Sequence, residues 1–450
     1  MNIEQIYSHF PIYLQNRILT IEAQKIYDRR YSSSFFELLN KYSARTFFSY
    51  DKIVDYRNKR LSNFLNFCSG IKYYSKYALR NSHDNAEESL DKLPILSKDE
   101  VKLHKDEILN NEILKSQIMN AHTSGTTGSG LSFHQTKLAH QEQFTVWWRY
   151  RNWHGLNLDN WCLYFGGRRI VPIKQVNPPF YRIIKPAKQI MFSGYHLNEK
   201  NIRGYVDALN EFKVEWIHGY PSLLSTLASF MLELKLKLNY KVKWLTTGAE
   251  NLLDFQKMKI EQAFGVIPIQ HYGQAEAVAN ISECPKANMH VDEDFSYVEF
   301  IPIEKDKYKI IGSNFTNQAF PLLRYDTGDV AIITGKTCNC GRPGRVVDRV
   351  DGRKEDNIVL KDGTVVGRLD HIFKDLENIK EAQIYQKERS KIEVRIVKSK
   401  MFEERDEKLL LTSLKNYLRD IEIQLVYLDE IPKTKNNKLR FVISKIDNQV

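Results

Sequence analysis

Three features of the sequence predict a mixed α/β protein in two parts. Strand-like and helical segments alternate between residues 137 and 270, the pattern of layered α/β domains. A helix-rich stretch precedes them. A charged, glycine-punctuated run from Arg345 to Asp362 follows, and such runs mark domain boundaries. The expected division is a large N-terminal multi-layer α/β domain, residues 1–351, and a small C-terminal α/β domain, residues 352–450, joined by a hinge.

Composition sets the outer limits. The chain has 450 residues, 42% hydrophobic and 27% charged, as expected of a globular protein with a sizeable core. Lys+Arg is 66 against Asp+Glu 55, a formal net charge of +11, which suits anionic ligands. The basic residues are spread out, and no nucleic-acid module or one-sided basic helix is recognisable, so no nucleic-acid partner is expected. The first residues lack a signal-peptide pattern. No apolar run approaches the roughly 18 residues that span a bilayer, so no transmembrane segment is expected. Five cysteines argue against a full disulfide framework and for a cytoplasmic protein. The sequence leaves monomer and homodimer open.

The segments follow in order. Residues 1 to about 100 read as helices, from the apolar spacing around Phe35–Leu39 and Leu61–Leu65. Ser97 and Glu100 form a capping box, and the region is expected to be scaffold. Next comes Thr123-Ser124-Gly125-Thr126-Thr127-Gly128-Ser129-Gly130, between two short flanks that read as strand–loop–strand. Its glycines allow close backbone approach and its N–H groups favour an anion, so it reads as a phosphate loop or an ordinary turn. It is not a Walker A loop, and Gly335-Lys336-Thr337 lacks the earlier glycine of that motif.

Trp216-Ile217-His218-Gly219-Tyr220-Pro221 and Trp244-Leu245-Thr246-Thr247-Gly248-Ala249-Glu250 each read as a strand, a small turn and a helix. Ligands sit at the carboxyl ends of such strands. Gln270-His271-Tyr272-Gly273-Gln274-Ala275-Glu276 sets a ring, a glycine and an acid near a strand end. The ring can stack on a base and the carboxylate can hold Mg²⁺, or both are structural. In Tyr325-Asp326-Thr327-Gly328-Asp329 a carboxylate can accept from ribose hydroxyls or close an Asx turn. After the charged run, Lys391–Ile396 reads as a strand, Met401–Asp420 as an amphipathic helix and Gln424–Leu428 as a strand. The basic tip Lys433–Arg440 is either a solvated turn or a donor of lysine to phosphate.

This order of motifs resembles the adenylate-forming superfamily of acyl-CoA synthetases, adenylation domains and luciferases. Within it the chain looks like the phenylacetate–CoA ligase branch, which includes proteins linked to capsule biosynthesis. The resemblance covers roughly residues 90–445 and rests on collinearity of the motifs. It implies a phosphate loop at Thr123, Ser124, Gly125, Thr126, Thr127 and Gly128, and an adenine-side turn at Gly248, Ala249 and Glu250. It also implies Tyr272 and Gly273 against adenine, Glu276 on Mg²⁺, Asp329 on the ribose and Arg353 on phosphate or ribose. The hinge would be at Glu355 and Asp356, and Lys438 would be the catalytic lysine. Glu355 replaces the usual hinge Asp, Asn437 replaces a Gly, and the loop lacks the Pro-Lys that many members carry. His218, Tyr220, Thr247 and His271 lie near the motif turns and are the candidates for the acid pocket.

The implied reaction is attack of a substrate carboxylate on the α-phosphorus of ATP with loss of pyrophosphate. Transfer to CoA gives a thioester; an amine, or a sugar of a surface polysaccharide, is the alternative acceptor. Positioning and charge neutralisation carry such chemistry. A non-enzymatic nucleotide-binding protein on the same fold is a further alternative.

The nucleotide motifs leave one group unexplained. Cys284, His290, Cys338 and Cys340 could form a tetrahedral structural Zn²⁺ site. The alternatives are unpaired core cysteines or a disulfide.

Overall fold

The computed structural model describes residues 7, 9–77, 79, 86–122, 131–250, 252, 254–351, 357–366, 369, 372, 379–398, 402–418, 420–429, 431–432 and 442–446. The glycine loop (residues 123–130), Arg353, Glu355, Asp356 and Lys438 lie outside them.

The N-terminal region is helical, as the apolar spacing predicts: α1 (Ile12–Arg30), α2 (Ser33–Arg45), α3 (Tyr50–Cys68), α4 (Ala86–Asp91), α5 (Lys98–Leu103) and α6 (Lys105–Ile108). The capping box forms: Glu100 N–H donates to Ser97 Oγ at 3.2 Å and Ser97 N–H to Glu100 Oε2 at 2.8 Å. That fixes the first residue of α5, Lys98. Strands β1 (Ile118–His122) and β2 (Ser132–Thr136) then pair antiparallel across the glycine loop. Helix α7 (Lys137–Trp153) follows.

The central sheet comprises β3 (Cys162–Gly166), β4 (Tyr181–Ile184), β5 (Gln189–Ser193), β6 (Trp216–Gly219) and β7 (Trp244–Thr247) in the order β4-β5-β3-β6-β7. Its last four strands run parallel; β4 is the antiparallel edge. Helix α8 (Ile202–Phe212) crosses from β5 to β6 and α9 (Pro221–Glu233) from β6 to β7, and α10 (Asp254–Phe264) follows β7. One face of the sheet packs Leu163, Phe165, Ile190, Phe192, Ile217 and Leu245 into the largest apolar core. Pro221 opens α9 at a position where its missing N–H costs nothing.

Two antiparallel sheets follow. Strands β8 (His271–Gly273), β9 (Asn280–Glu283) and β10 (Met289–Val291) join β14 (Val346–Val347). Strands β11 (Ser296–Glu304), β12 (Lys307–Asn314) and β13 (Tyr325–Ile332) join β15 (Arg349–Asp351). The C-terminal part holds a short ribbon, β16 (Ile358–Val359) with β17 (Val365–Val366), and a sheet of β18 (Ile379–Glu388), β19 (Lys391–Lys398), β20 (Glu422–Tyr427) and β21 (Val442–Ser444). Helix α11 (Glu404–Leu418) covers it. Leu410, Leu414 and Leu418, four residues apart on one helix face, meet Ile384, Val394 and Ile396 in a separate core. From the larger part only Tyr195 joins that buried set among the described residues, against the Tyr417 ring at 5.2 Å.

No helix among the described residues is long and apolar enough to cross a membrane.

Candidate functional site

A cavity of about 940 Å³ lies between α7 and the free face of the central sheet. Successive side chains on a strand alternate faces, so Phe165 and Ile217 enter the core while Tyr164 and His218 face the cavity. Cys162, Met191 and Trp216 share that face. Opposite them, α7 presents His140, Gln143, Phe144, Trp147 and Arg151. Their spacing follows one stripe of a 3.6-residue helix. The cavity therefore extends beyond the expected strand ends, over the face of β5, β3 and β6.

The other face of α7 is held by charge. Arg149 donates to Asp294 at 2.8 and 2.9 Å and to Asp292 at 2.6 Å. Arg45 from α2 donates to Asp294 at 2.6 Å. Between these acids, Glu293 takes Arg57 at 3.1 Å and Arg345 at 2.7 Å. Three consecutive buried carboxylates thus tie α2, α3 and α7 to the strand that carries His290.

The motif turns converge on one end of the cavity. Ala249 adopts a left-handed φ of 70°, and Ala249 and Glu250 line the wall. Gly248 is pressed between two imidazoles: a Cβ there would sit 3.3 Å from His271 and 3.7 Å from His218. Tyr272 donates its hydroxyl to Asp329 at 2.9 Å, and Tyr325 donates to Glu276 at 3.0 Å. Glu276 is 7% exposed. Burial pushes its carboxyl up, opposed by the charge of Lys98 and the Tyr325 hydroxyl. A buried carboxylate in this state gains from a cation, and a hard oxygen donor suits Mg²⁺. The Asx turn does form, but on Asp326, which accepts from Gly328 N–H at 2.8 Å. The Asp329 carboxylate lines the cavity instead.

The two histidines are held neutral. Burial and the charge of Arg151 bring His271 down to about 3. The same causes, with His271 itself, push His218 well below the usual histidine range. His271 stacks on Tyr150 with ring centres 4.8 Å apart, and His218 Nδ1 meets Thr246 Oγ1 at 2.8 Å. Thr247 is buried behind the wall. Tyr220 faces a smaller adjoining cavity, which it lines with Glu250. Of the four candidates for the acid pocket, His218 and His271 face the main cavity.

Sequence reasoning missed several wall residues. The N-terminal helices, expected as scaffold, supply Arg29, Arg30, Tyr31 and Lys98. Helix α7 supplies a whole face. The one available signal was its stripe, which mixes rings with polar groups where a simple core helix is aliphatic.

The four cysteine and histidine residues meet in a separate cluster. Their ligand atoms all lie within 4.8 Å of one another. Cys284 and Cys338 sulfurs are 3.8 Å apart, and Cys340 Sγ is 3.4 Å from His290 Nε2. A disulfide would need about 2.05 Å, and all five cysteines are free. A tetrahedron with Zn–S near 2.3 Å puts its sulfurs about 3.8 Å apart, so the residues fit zinc. His290 Nδ1 faces the Gly344 carbonyl at 3.3 Å, the outer contact that orients a metal-binding imidazole. Gly344 has φ +118°, and a Cβ there would strike the Val291 carbonyl at 2.2 Å.

Comparison with known proteins agrees with this architecture. Residues 358–445 match the family model described as the CapK C-terminal domain. The chain is 25% identical to Protein CapK of Staphylococcus aureus over 457 residues, covering 99% of this chain and 100% of that protein. It is 27% identical to phenylacetate–coenzyme A ligase of Thermus thermophilus over 169 residues, 34% of this chain and 37% of that enzyme. Among solved structures, 2-hydroxyisobutyryl-CoA ligase with 2-HIB-AMP and CoA in the thioesterification state superposes with a TM-score of 0.55 at 17% identity, covering 89% of this chain and 91% of that one. The same ligase in the postadenylation state gives 0.53 at 16% identity, covering 86% and 89%. The fold is that of the adenylate-forming ligases, a large domain with a smaller C-terminal one. The sequence likeness runs to the phenylacetate–CoA ligase-like branch.

Proposed function

We propose that the chain is an ATP-dependent carboxylate-activating ligase: an acid is converted to its acyl adenylate with release of pyrophosphate, and the acyl group passes to CoA. The observation that supports this most is the convergence of the Gly248, Tyr272–Glu276 and Tyr325–Asp329 segments on one end of a single cavity. Its remaining wall, over the sheet, has room for an acid.

In this reading Tyr272 packs against the adenine and Asp329, oriented by the Tyr272 hydroxyl, accepts from the ribose. Gly248 admits the nucleotide because a side chain there would meet His271. The residues 123–128 wrap the phosphates and Arg353 contacts phosphate or ribose. Glu276 holds Mg²⁺, which neutralises charge on the phosphates. Lys438 supplies a second positive charge during attack of the acid. The division falls after residue 351, with Glu355 and Asp356 in the hinge, and rotation there would withdraw Lys438 once the adenylate has formed. The Cys284–His290–Cys338–Cys340 cluster holds a structural zinc with no open position for catalysis. Three thiols placed for metal rather than for disulfides support a cytoplasmic location.

The likeness to CapK over nearly the whole chain supports a second reading of the acceptor: an amine or a sugar of a surface polysaccharide. ATP–pyrophosphate exchange with a panel of carboxylic acids tests the first half-reaction. Acid-dependent exchange, lost in Glu276→Gln, is expected. ATP binding without exchange for any acid would leave only the non-enzymatic reading. Thioester formation on adding CoA separates the two acceptors.

A further inference from the structure

The cavity divides by charge. Its acids are Glu250, Glu276, Asp326 and Asp329, all in the motif turns. The rest of its wall carries Arg29, Arg30, Arg151 and Arg168 and, among the described residues, no carboxylate. Arg151 is the most telling. It is 8% exposed, and no described acid lies within ion-pair distance of it. Its Nε has no hydrogen-bond partner. Its guanidinium is surrounded instead by the rings of Trp148, Tyr150 and Trp216, at 5.0, 5.3 and 5.7 Å. Position in the last turn of α7 and those rings offset part of the charge. A buried arginine without an acid still carries a large desolvation cost. The two histidines beside it are kept neutral and do not share its role.

A second cationic group lines the same cavity. Arg30 lies over the Phe144 ring at 4.1 Å, and its Nε and His140 Nε2 are buried without partners. Burial and the neighbouring Arg168 and Arg29 lower Arg30 to about 10, which leaves it charged at neutral pH. An acid with an apolar remainder has no use for these groups.

We propose, on the ligase reading above, that the substrate acid carries a second anionic group, carboxylate or phosphate-like, and that Arg151 receives it between the aromatic walls. The reacting carboxylate is the poorer occupant. Its charge passes to phosphate in the transition state, so an arginine clamped on it would stabilise the ground state most and slow the step. A group that does not react keeps its charge throughout, and the arginine then contributes binding and selection. Arg30, with Arg29 and Arg168 at the outer wall, extends the same preference toward the mouth.

The test uses matched acids in ATP–pyrophosphate exchange: phenylacetate, 4-carboxyphenylacetate and 4-phosphonophenylacetate, with butyrate and glutarate as an aliphatic pair. In the natural protein the anionic member of a pair is expected to exceed its neutral parent in kcat/KM by about tenfold or more, the scale of a charged hydrogen bond. Arg151→Met is expected to bring that ratio down to about one or below, as when one partner of a buried charge pair is removed. Arg151→Lys should restore part of it for the phosphonate. Neutral parents that equal or exceed their anionic derivatives in the natural protein overturn the inference. So does a ratio unchanged by Arg151→Met while both acids slow, which would put the reacting carboxylate on Arg151. If no acid supports exchange, the ligase reading fails, and calorimetric titration with 4-carboxyphenylacetate and phenylacetate decides the site by itself. Tighter binding of the diacid, lost in Arg151→Met, supports it; equal binding, or none, overturns it.

Discussion

Replacing Asp294 with Asn tests the claim that charge holds the cavity roof in place. The side chain keeps its shape and loses its charge. Arg149 retains Asp292 at 2.6 Å. Arg45 loses its acid, and its side chain is only 7% exposed. The Tyr42 ring at 3.9 Å and the Tyr56 ring at 4.6 Å remain against it. Stranding a buried charge costs about 3–5 kcal/mol, and the two rings place this case near about 3 kcal/mol. At about 2.1 cal/mol/K per residue, a cooperative unit of about 350 residues has an unfolding entropy near 0.7 kcal/mol/K, so Tm should fall by about 4 °C. Differential scanning calorimetry at pH 7 reads it directly. A fall below about 1 °C would refute the reasoning, because the network would then be no more than an exposed set of ion pairs.

The same substitution has a pH signature. Asp294 and Glu293 are held below the usual carboxylate range although burial alone would raise both; Arg149 and Arg45 overcome it for Asp294, Arg345 and Arg57 for Glu293. A lowered folded value means stability that is full above the unfolded carboxylate range and is lost as pH falls through the folded one. Asp292 runs the other way, since burial raises it despite Arg149. Asp294→Asn should therefore remove its own share of the stability lost below about pH 4.

Three further outcomes are expected. Asp329→Asn should raise the KM for ATP by about 10- to 100-fold, the scale of hydrogen bonds to a charged group, while Tyr272→Phe, which removes one bond to that carboxylate, should cost only a few-fold; equal ATP kinetics in both variants and the natural protein would exclude the ribose role. Elemental analysis should find about one zinc per chain, and Cys340→Ser should lower both zinc content and Tm; metal-free protein whose Tm is unmoved by chelator would remove the site. His140 and His271, each brought down to about 3 chiefly by burial, bind protons in the unfolded chain first, so stability should begin to fall below about pH 6.5, and His140→Gln should reduce that slope in urea titrations.

The parts legible in the sequence are those fixed by local chemistry. The alternation of strands and helices, the Ser97–Glu100 box and the strand–loop–strand around the glycine loop all appear as read. The four metal-type ligands come together because a hairpin and a loop carry two each. Two things were illegible. Val291-Asp292-Glu293-Asp294 looks like a solvated acidic turn, because its partners Arg45, Arg57 and Arg149 lie 143 or more residues away. The cavity wall was hidden for the same reason. His140, Phe144, Trp147 and Arg151 form a stripe of mixed rings and polar groups, but what it faces is not known until the sheet face carrying Tyr164 and His218 is placed opposite.

That opposition explains why a cavity exists here at all. A helix over a sheet normally fills the gap with aliphatic side chains at close-packed density. Helix α7 instead spends one face on the arginine–acid network, which holds it without needing apolar contact on the other. The free face can then carry groups that do not pack. The cavity's acids lie in the motif turns and its arginines elsewhere on the wall, and a ligand that meets both joins a cation-seeking surface to an anion-seeking one. A nucleotide with Mg²⁺ suits the first and an acid with a spare negative charge suits the second. Asn357, Leu369 and Val442 from the C-terminal part also line this cavity. Any displacement of that part would remove wall from the cavity.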